Sequence, residues 1–115
     1  MNEDAFLKRN KKILKVAKIF KNLPKERKDI INSLIQRAVF MEEKLTEMEG
    51  RIDEDGVIVS MQQGDYSIDR AHPLIAQYNT TVKNYAAIIK QLCEQASPEE
   101  ANKVGESLLN FALKK

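Results

Sequence analysis

Apolar residues recur along two stretches of this chain with the same alternating step of three and four. The first stretch is Ile31, Leu34, Ala38, Met41, Leu45, Met48, Ile52, and the second is Ile75, Tyr78, Val82, Tyr85, Ile89, Leu92, Ala96. A mean spacing of 3.5 residues keeps one stripe of a helix facing a partner over three heptads. Each stripe advances 21 residues, roughly 30 Å at about 1.5 Å per residue. The pattern therefore predicts two long helices paired antiparallel from end to end.

The rest of the chain is punctuated around that pair. Asp4 to Asn22 predicts a shorter amphipathic helix, with Phe6, Ile13, Ala17 and Phe20 near one face, Leu14 and Val16 beside it, and Lys8, Lys11, Lys12, Lys15 and Lys18 opposite. Leu23-Pro24 ends it, and Pro24 opens the second helix, which is expected to stop at Gly50, a natural left-handed C-cap. Ile30, Ile35, Val39 and Phe40 form a second apolar flank, more than one partner helix covers. That flank must meet the first and last helices or another subunit. The β-branched run Val57 to Met61, a turn at Gln62 to Asp65, and Tyr66-Ser67-Ile68 predict a small β-hairpin near residues 57–68. A lone hairpin is marginally stable, so its strands are expected to lean on the helices or to join strands of neighbouring subunits. His72-Pro73 opens the third helix, with His72 bonding the first amides or packing on the hairpin. Ser97-Pro98-Glu99-Glu100 is a capping box for a fourth helix carrying Ala101, Val104, Leu108, Phe111 and Ala112 on one face and ending at Lys114-Lys115.

The expected fold is thus mainly α, a long antiparallel helical hairpin with a small β-hairpin between its two helices, plus a basic N-terminal helix and a short C-terminal helix. All of it forms one domain, residues 1–115: the basic helix in 1–23, the central hairpin in 24–96 and the last helix in 97–115. Its 115 residues are 43% apolar but only 6% aromatic, without tryptophan. A core built from aliphatic seams in so short a chain is small, which favours assembly with partner subunits.

The net charge of +2 conceals a split. Residues 1–28 hold ten Lys or Arg against three acids, whereas the remaining 87 hold nine basic and fourteen acidic side chains. A basic arm on an acidic body points to a polyanion or to a neighbour's acidic surface. Phosphate contact by Lys8, Arg9, Lys11, Lys12, Lys15 and Lys18 would bind duplex DNA with little sequence preference. Two other readings of the same face are simple solvation and an anionic membrane surface. Tyr66, Tyr78 and Tyr85 lie away from the lysines, which removes the stacking signature of a single-strand binder.

Little in the chain suggests catalysis. One histidine and one cysteine fall on what should be a single helix, too far apart for a nucleophilic pair. Asp53, Glu54 and Asp55 lack the alternating ligands of a calcium loop, and the four glycines never gather into a phosphate cradle. No metal, cofactor or catalytic residue is expected, and Cys93 is expected to act as a small seam hydrophobe. No stretch is apolar enough to span a bilayer and no signal peptide is evident, so the expected location is the cytoplasm.

The order of elements, together with Ala71-His72-Pro73-Leu74 leading into Ile75-Ala76-Gln77-Tyr78-Asn79 and Tyr85-Ala86-Ala87-Ile88-Ile89-Lys90-Gln91-Leu92, resembles the small terminase subunits of tailed phages. The nearest branch is the one found in phages and prophages of Gram-positive bacteria. There an acid-rich helix, here Phe40-Met41-Glu42-Glu43-Lys44-Leu45, leads into a short β segment closed by a glycine turn, here Val57 to Gly64. The resemblance covers about residues 24–95. It implies a non-enzymatic subunit that assembles into an oligomer, a ring being one form, binds double-stranded phage DNA and recruits the large packaging subunit. Many such proteins read DNA through an N-terminal helix-turn-helix, and the residues before Pro24 are too few for one. On this reading the subunit contacts are Ile30, Ile35, Val39 and Phe40, and the phosphate contacts are the six basic residues named above. The alternative from another class is a helical-hairpin adaptor that binds a protein partner and no nucleic acid.

Overall fold

The computed structural model describes residues 3–104 and Glu106. Helix α1 (Glu3–Ala17) runs on into a single 3-10 turn (Lys18–Phe20), followed by α2 (Lys25–Asp55), strands β1 (Ile58–Gln63) and β2 (Tyr66–Ala71), α3 (Leu74–Glu94) and α4 (Pro98–Val104). A compact chain of this length has a radius of gyration of about 13 Å. Here it is 17.7 Å, with extents of 63 × 30 × 25 Å, as expected when one helix of 31 residues is about 46 Å long.

Two side-chain rungs orient the central helices. Tyr78 Oη donates to Glu49 Oε2 at 2.8 Å near one end, and Arg27 Nη2 donates to Gln95 Oε1 near the other. The start of α3 therefore meets the end of α2, and the pair is antiparallel. Every member of the two predicted stripes is buried or half-buried except Val82. Helix α1 also runs antiparallel to α2, since Arg9 reaches Glu43 and Lys12 reaches Glu42, while Val16 and Phe20 join Ile31, Ile35, Ala38 and Val39 in the core. Leu92 from α3 and Val104 from α4 complete it. Cys93 packs half-buried against this cluster.

Several boundaries differ from expectation. Helix α2 does not stop at Gly50 but passes through it to Asp55. Gly50 has ordinary helical geometry there, and the helix continues because Ile52 still lies on the seam, which repays glycine's entropic cost. The true stop is Gly56, whose φ of 85° and ψ of 162° suit glycine alone and whose N–H donates to Ile52 O at 2.7 Å. Asp53, Glu54 and Asp55 accordingly sit in the last helical turn, not in a loop. Phe6 is exposed, and Val16 takes its place on the buried face of α1. The capping box forms as drawn: Ser97 N–H donates to Glu100 Oε1 at 2.8 Å, and Glu100 N–H to Ser97 Oγ at 3.2 Å. Leu108, Phe111, Ala112, Lys114 and Lys115 lie outside the described residues.

The β-hairpin is present, longer than expected by three residues at its far end. Gly64 has φ 61° and Asp65 is not in the left-handed region, the pattern of a two-residue type II′ turn. His72 anchors its root. The imidazole Nδ1 accepts from Leu74 N–H at 3.1 Å, so the proton resides on Nε2, which donates to Asp55 Oδ2 at 2.9 Å. This ring ties the end of α2 to the start of α3 and is almost fully buried.

Candidate nucleic-acid interface

Helix α1 is a two-sided object. The residues facing α2 include two of the six cations expected to meet DNA, and both are already bonded. Arg9 grips Glu43 with two parallel bonds, Nε to Oε2 at 2.8 Å and Nη2 to Oε1 at 2.6 Å. Lys12 Nζ donates to Glu42 Oε1 at 3.0 Å. Arg9 and Lys12 are therefore placed as fasteners of α1 on α2.

The acids behind these bonds explain their strength. Glu42 is only 4% exposed, and a carboxylate so deeply buried is costly unless a cation compensates it. Hydrogen bonding from Arg9 holds the Glu43 carboxyl below its ordinary range, opposed by partial burial and helped by the charges of Arg9, Lys44 and Lys12. The same hydrogen bond raises Arg9 in return. On the far side of Glu42, burial raises the Tyr85 phenol and the nearby Glu42 charge raises it further. Glu42 Oε2 and Tyr85 Oη have no hydrogen-bond partner among the described residues. Glu42 is thus the polar node at which α1, α2 and α3 meet.

The opposite face of α1 and its 3-10 extension remains exposed at Lys8, Lys11, Lys15 and Lys18. Their spacing of three, four and three places them in one stripe about 15 Å long. At the corner into α2, Lys21 and Lys25 are exposed as well, and Lys28 is half-buried. A stripe of ammonium groups on a helix clamped at two points is pre-organised for phosphates, because the helix need not be ordered when an anion binds. Leu7 and Leu14 are exposed beside it.

The proposed subunit-contact flank divides. Ile35 and Val39 are fully buried under α1 and are corrected to core residues of the single chain. The sequence could not distinguish cover by α1 from cover by a neighbour. Ile30 and Phe40 stay open, at 63% and 47% exposed. Two cations cover the ring of Phe40, Arg9 Cζ at 5.5 Å and Lys44 Nζ at 5.2 Å from its centroid. Next to it, Met41, Met48 and Leu74 line a groove between α2 and α3.

Among the described residues no group of three or more His, Cys, Asp or Glu could hold a metal ion. No described helix is long and apolar enough to cross a membrane. No protein-family model, curated protein or solved structure matches the chain.

Proposed function

We propose that this chain is a non-catalytic, self-assembling subunit that binds double-stranded DNA through the outer face of α1, in the manner of a phage small terminase. The observation that supports it most is the exposed stripe Lys8, Lys11, Lys15 and Lys18 on a helix fixed by the Arg9–Glu43 and Lys12–Glu42 bonds. Such a stripe captures the DNA backbone by releasing counterions and carries no sequence code. The role would place the protein in the cytoplasm of a host cell, with the large packaging subunit as its protein partner.

A second reading is favoured by the open groove beside Phe40: a helical-hairpin adaptor whose partner is a protein and whose lysines only solvate. One experiment separates the two. Binding to arbitrary duplex DNA is followed by fluorescence anisotropy as salt is raised. Four phosphate contacts give a slope of log K against log salt of about −3.6. Absence of binding at low salt would overturn the DNA reading and leave the adaptor.

A further inference from the structure

The β-hairpin is a free-standing amphipathic ribbon. Its register places Val59, Met61 and Gln63 on one face with Arg70, Ile68 and Tyr66, and Ile58, Ser60 and Gln62 on the other with Ala71, Asp69 and Ser67. The first face is largely apolar and only partly covered: Val59, Met61 and Gln63 of β1 are half-buried, while every residue of β2 is exposed. A two-stranded ribbon is marginal in water and becomes stable with further strands or a helix packed on it. The described chain supplies neither, and a second copy of the chain carries the same open ribbon to pair with.

The ladder shows which edge is prepared for it. His72 N–H donates to Val57 O at 2.8 Å, and the register continues without a bulge to Gln63 and Tyr66. This parity points the backbone groups of Tyr66, Ile68 and Arg70 at β1 and those of Ser67 and Asp69 outward. Neither strand carries a proline or a bulge, and β2, exposed throughout where β1 is alternately half-buried, is the more open edge. An antiparallel pairing of two β2 edges about a two-fold axis must keep each face with itself, which allows only registers shifted by two residues. Centring the axis on Ser67 sets Asp65 against Asp69 of the second copy. Centring it on Asp69 sets that acid against its own copy. Like charges directly opposite are destabilising. Centring it on Ile68 avoids both clashes. Ile68 then meets Ile68 of the second copy, Tyr66 meets Arg70 of the second copy as a cation over a ring, and Ser67 exchanges both backbone bonds with Asp69 of the second copy.

We infer that two copies of this chain join through their β2 edges, in the register centred on Ile68, to form a four-stranded antiparallel sheet with one continuous apolar face. The inference deepens the assembly part of the proposed function and does not depend on DNA binding.

The test is register-specific cross-linking of the full chain in a Cys93→Ser background. Residues opposite each other at a non-hydrogen-bonded site have Cα atoms about 4.5 Å apart, within the span of a disulfide. Ile68→Cys is therefore expected to give a covalent dimer under mild oxidation, at least about tenfold faster than Ser60→Cys on the β1 edge. Equal rates at the two positions, or no dimer at either, overturn the inference. Ser67→Asp, which sets an acid opposite Asp69 of the second copy on each side of the axis, is expected to weaken association about tenfold by light scattering, and an unchanged mass against concentration overturns the register. DNA affinity is measured on the same samples. Cross-linking without DNA binding overturns the DNA function alone, whereas DNA binding by an assembly that does not link at Ile68 overturns the ribbon contact alone.

Discussion

The two faces of α1 carry the same kind of side chain and put it to opposite uses. Toward α2, Arg9 and Lys12 are held at 2.6–3.0 Å by acids 34 and 30 residues further along the chain. Away from α2, Lys8, Lys11, Lys15 and Lys18 are exposed on one stripe. A count of basic residues treats all six alike. What separates them is the register of α1 against α2, which brings Glu42 and Glu43 under two of them and leaves the other four exposed. The inward cations therefore fasten α1 on α2, and the outward ones are those on which the proposed DNA contact rests.

The widest separation between the faces is expected from reversing the outer charges. Replacing Lys8, Lys11, Lys15 and Lys18 together by Glu should lower affinity for duplex DNA by about a thousandfold or more at low salt. Unfolding free energy should change far less, since an exposed substitution rarely costs more than about 0.5 kcal/mol. Anisotropy and urea titration on one preparation check both halves. Retained affinity would sink the assignment of this face.

Next in size is the inner face. Lys12→Met strands the buried Glu42 carboxylate and should cost about 3 kcal/mol of stability, read from the shift in urea midpoint. Combining it with Glu42→Gln should recover much of that loss, because the buried charge is gone. If Lys12→Met instead weakens DNA binding while leaving stability alone, Lys12 belongs with the outer face after all.

The Arg9–Glu43 pair should yield a smaller effect, visible in its dependence on pH. Glu43 is held below its unfolded value, so its contribution to stability is present in full above about pH 5 and is lost as pH falls through the folded-state value. Glu43→Gln should cost about 1 kcal/mol near pH 7 and flatten the decline on acidification. A stability profile between pH 7 and 3 whose slope is the same in parent and variant would show that this bond does not fasten α1.

Much of this architecture is legible in the sequence because it depends on local period. The alternating step of the two stripes needs only a helix and a partner, and the capping box at Ser97 and Glu100 closes within four residues. The hairpin, too, follows from β-branched residues around Gly64. What escaped reading depends on distant pairings or on a neighbour's presence. Ile35 and Val39 look like a surplus flank until α1 is laid over them, whereas Ile30 and Phe40, with the same apolar character, remain open. Gly50 has the composition of a stop, but seam burial at Ile52 carries the helix past it. The bonds from Arg9 and Lys12 could not be assigned, since no spacing rule links residues 30 or more apart on different helices.

The finest distinction comes from a single lysine. Lys11 and Lys12 are adjacent, with equal charge and equal side chains, but they point about 100° apart around a helix and so fall on opposite sides of the comparison. Lys11→Ala should leave the urea midpoint unchanged within error and reduce the steepness of the salt dependence of DNA binding by about one unit, the signature of one lost phosphate contact. A measured slope equal to that of the parent, with affinity unchanged, would remove Lys11 from the interface and leave it to Lys8, Lys15 and Lys18.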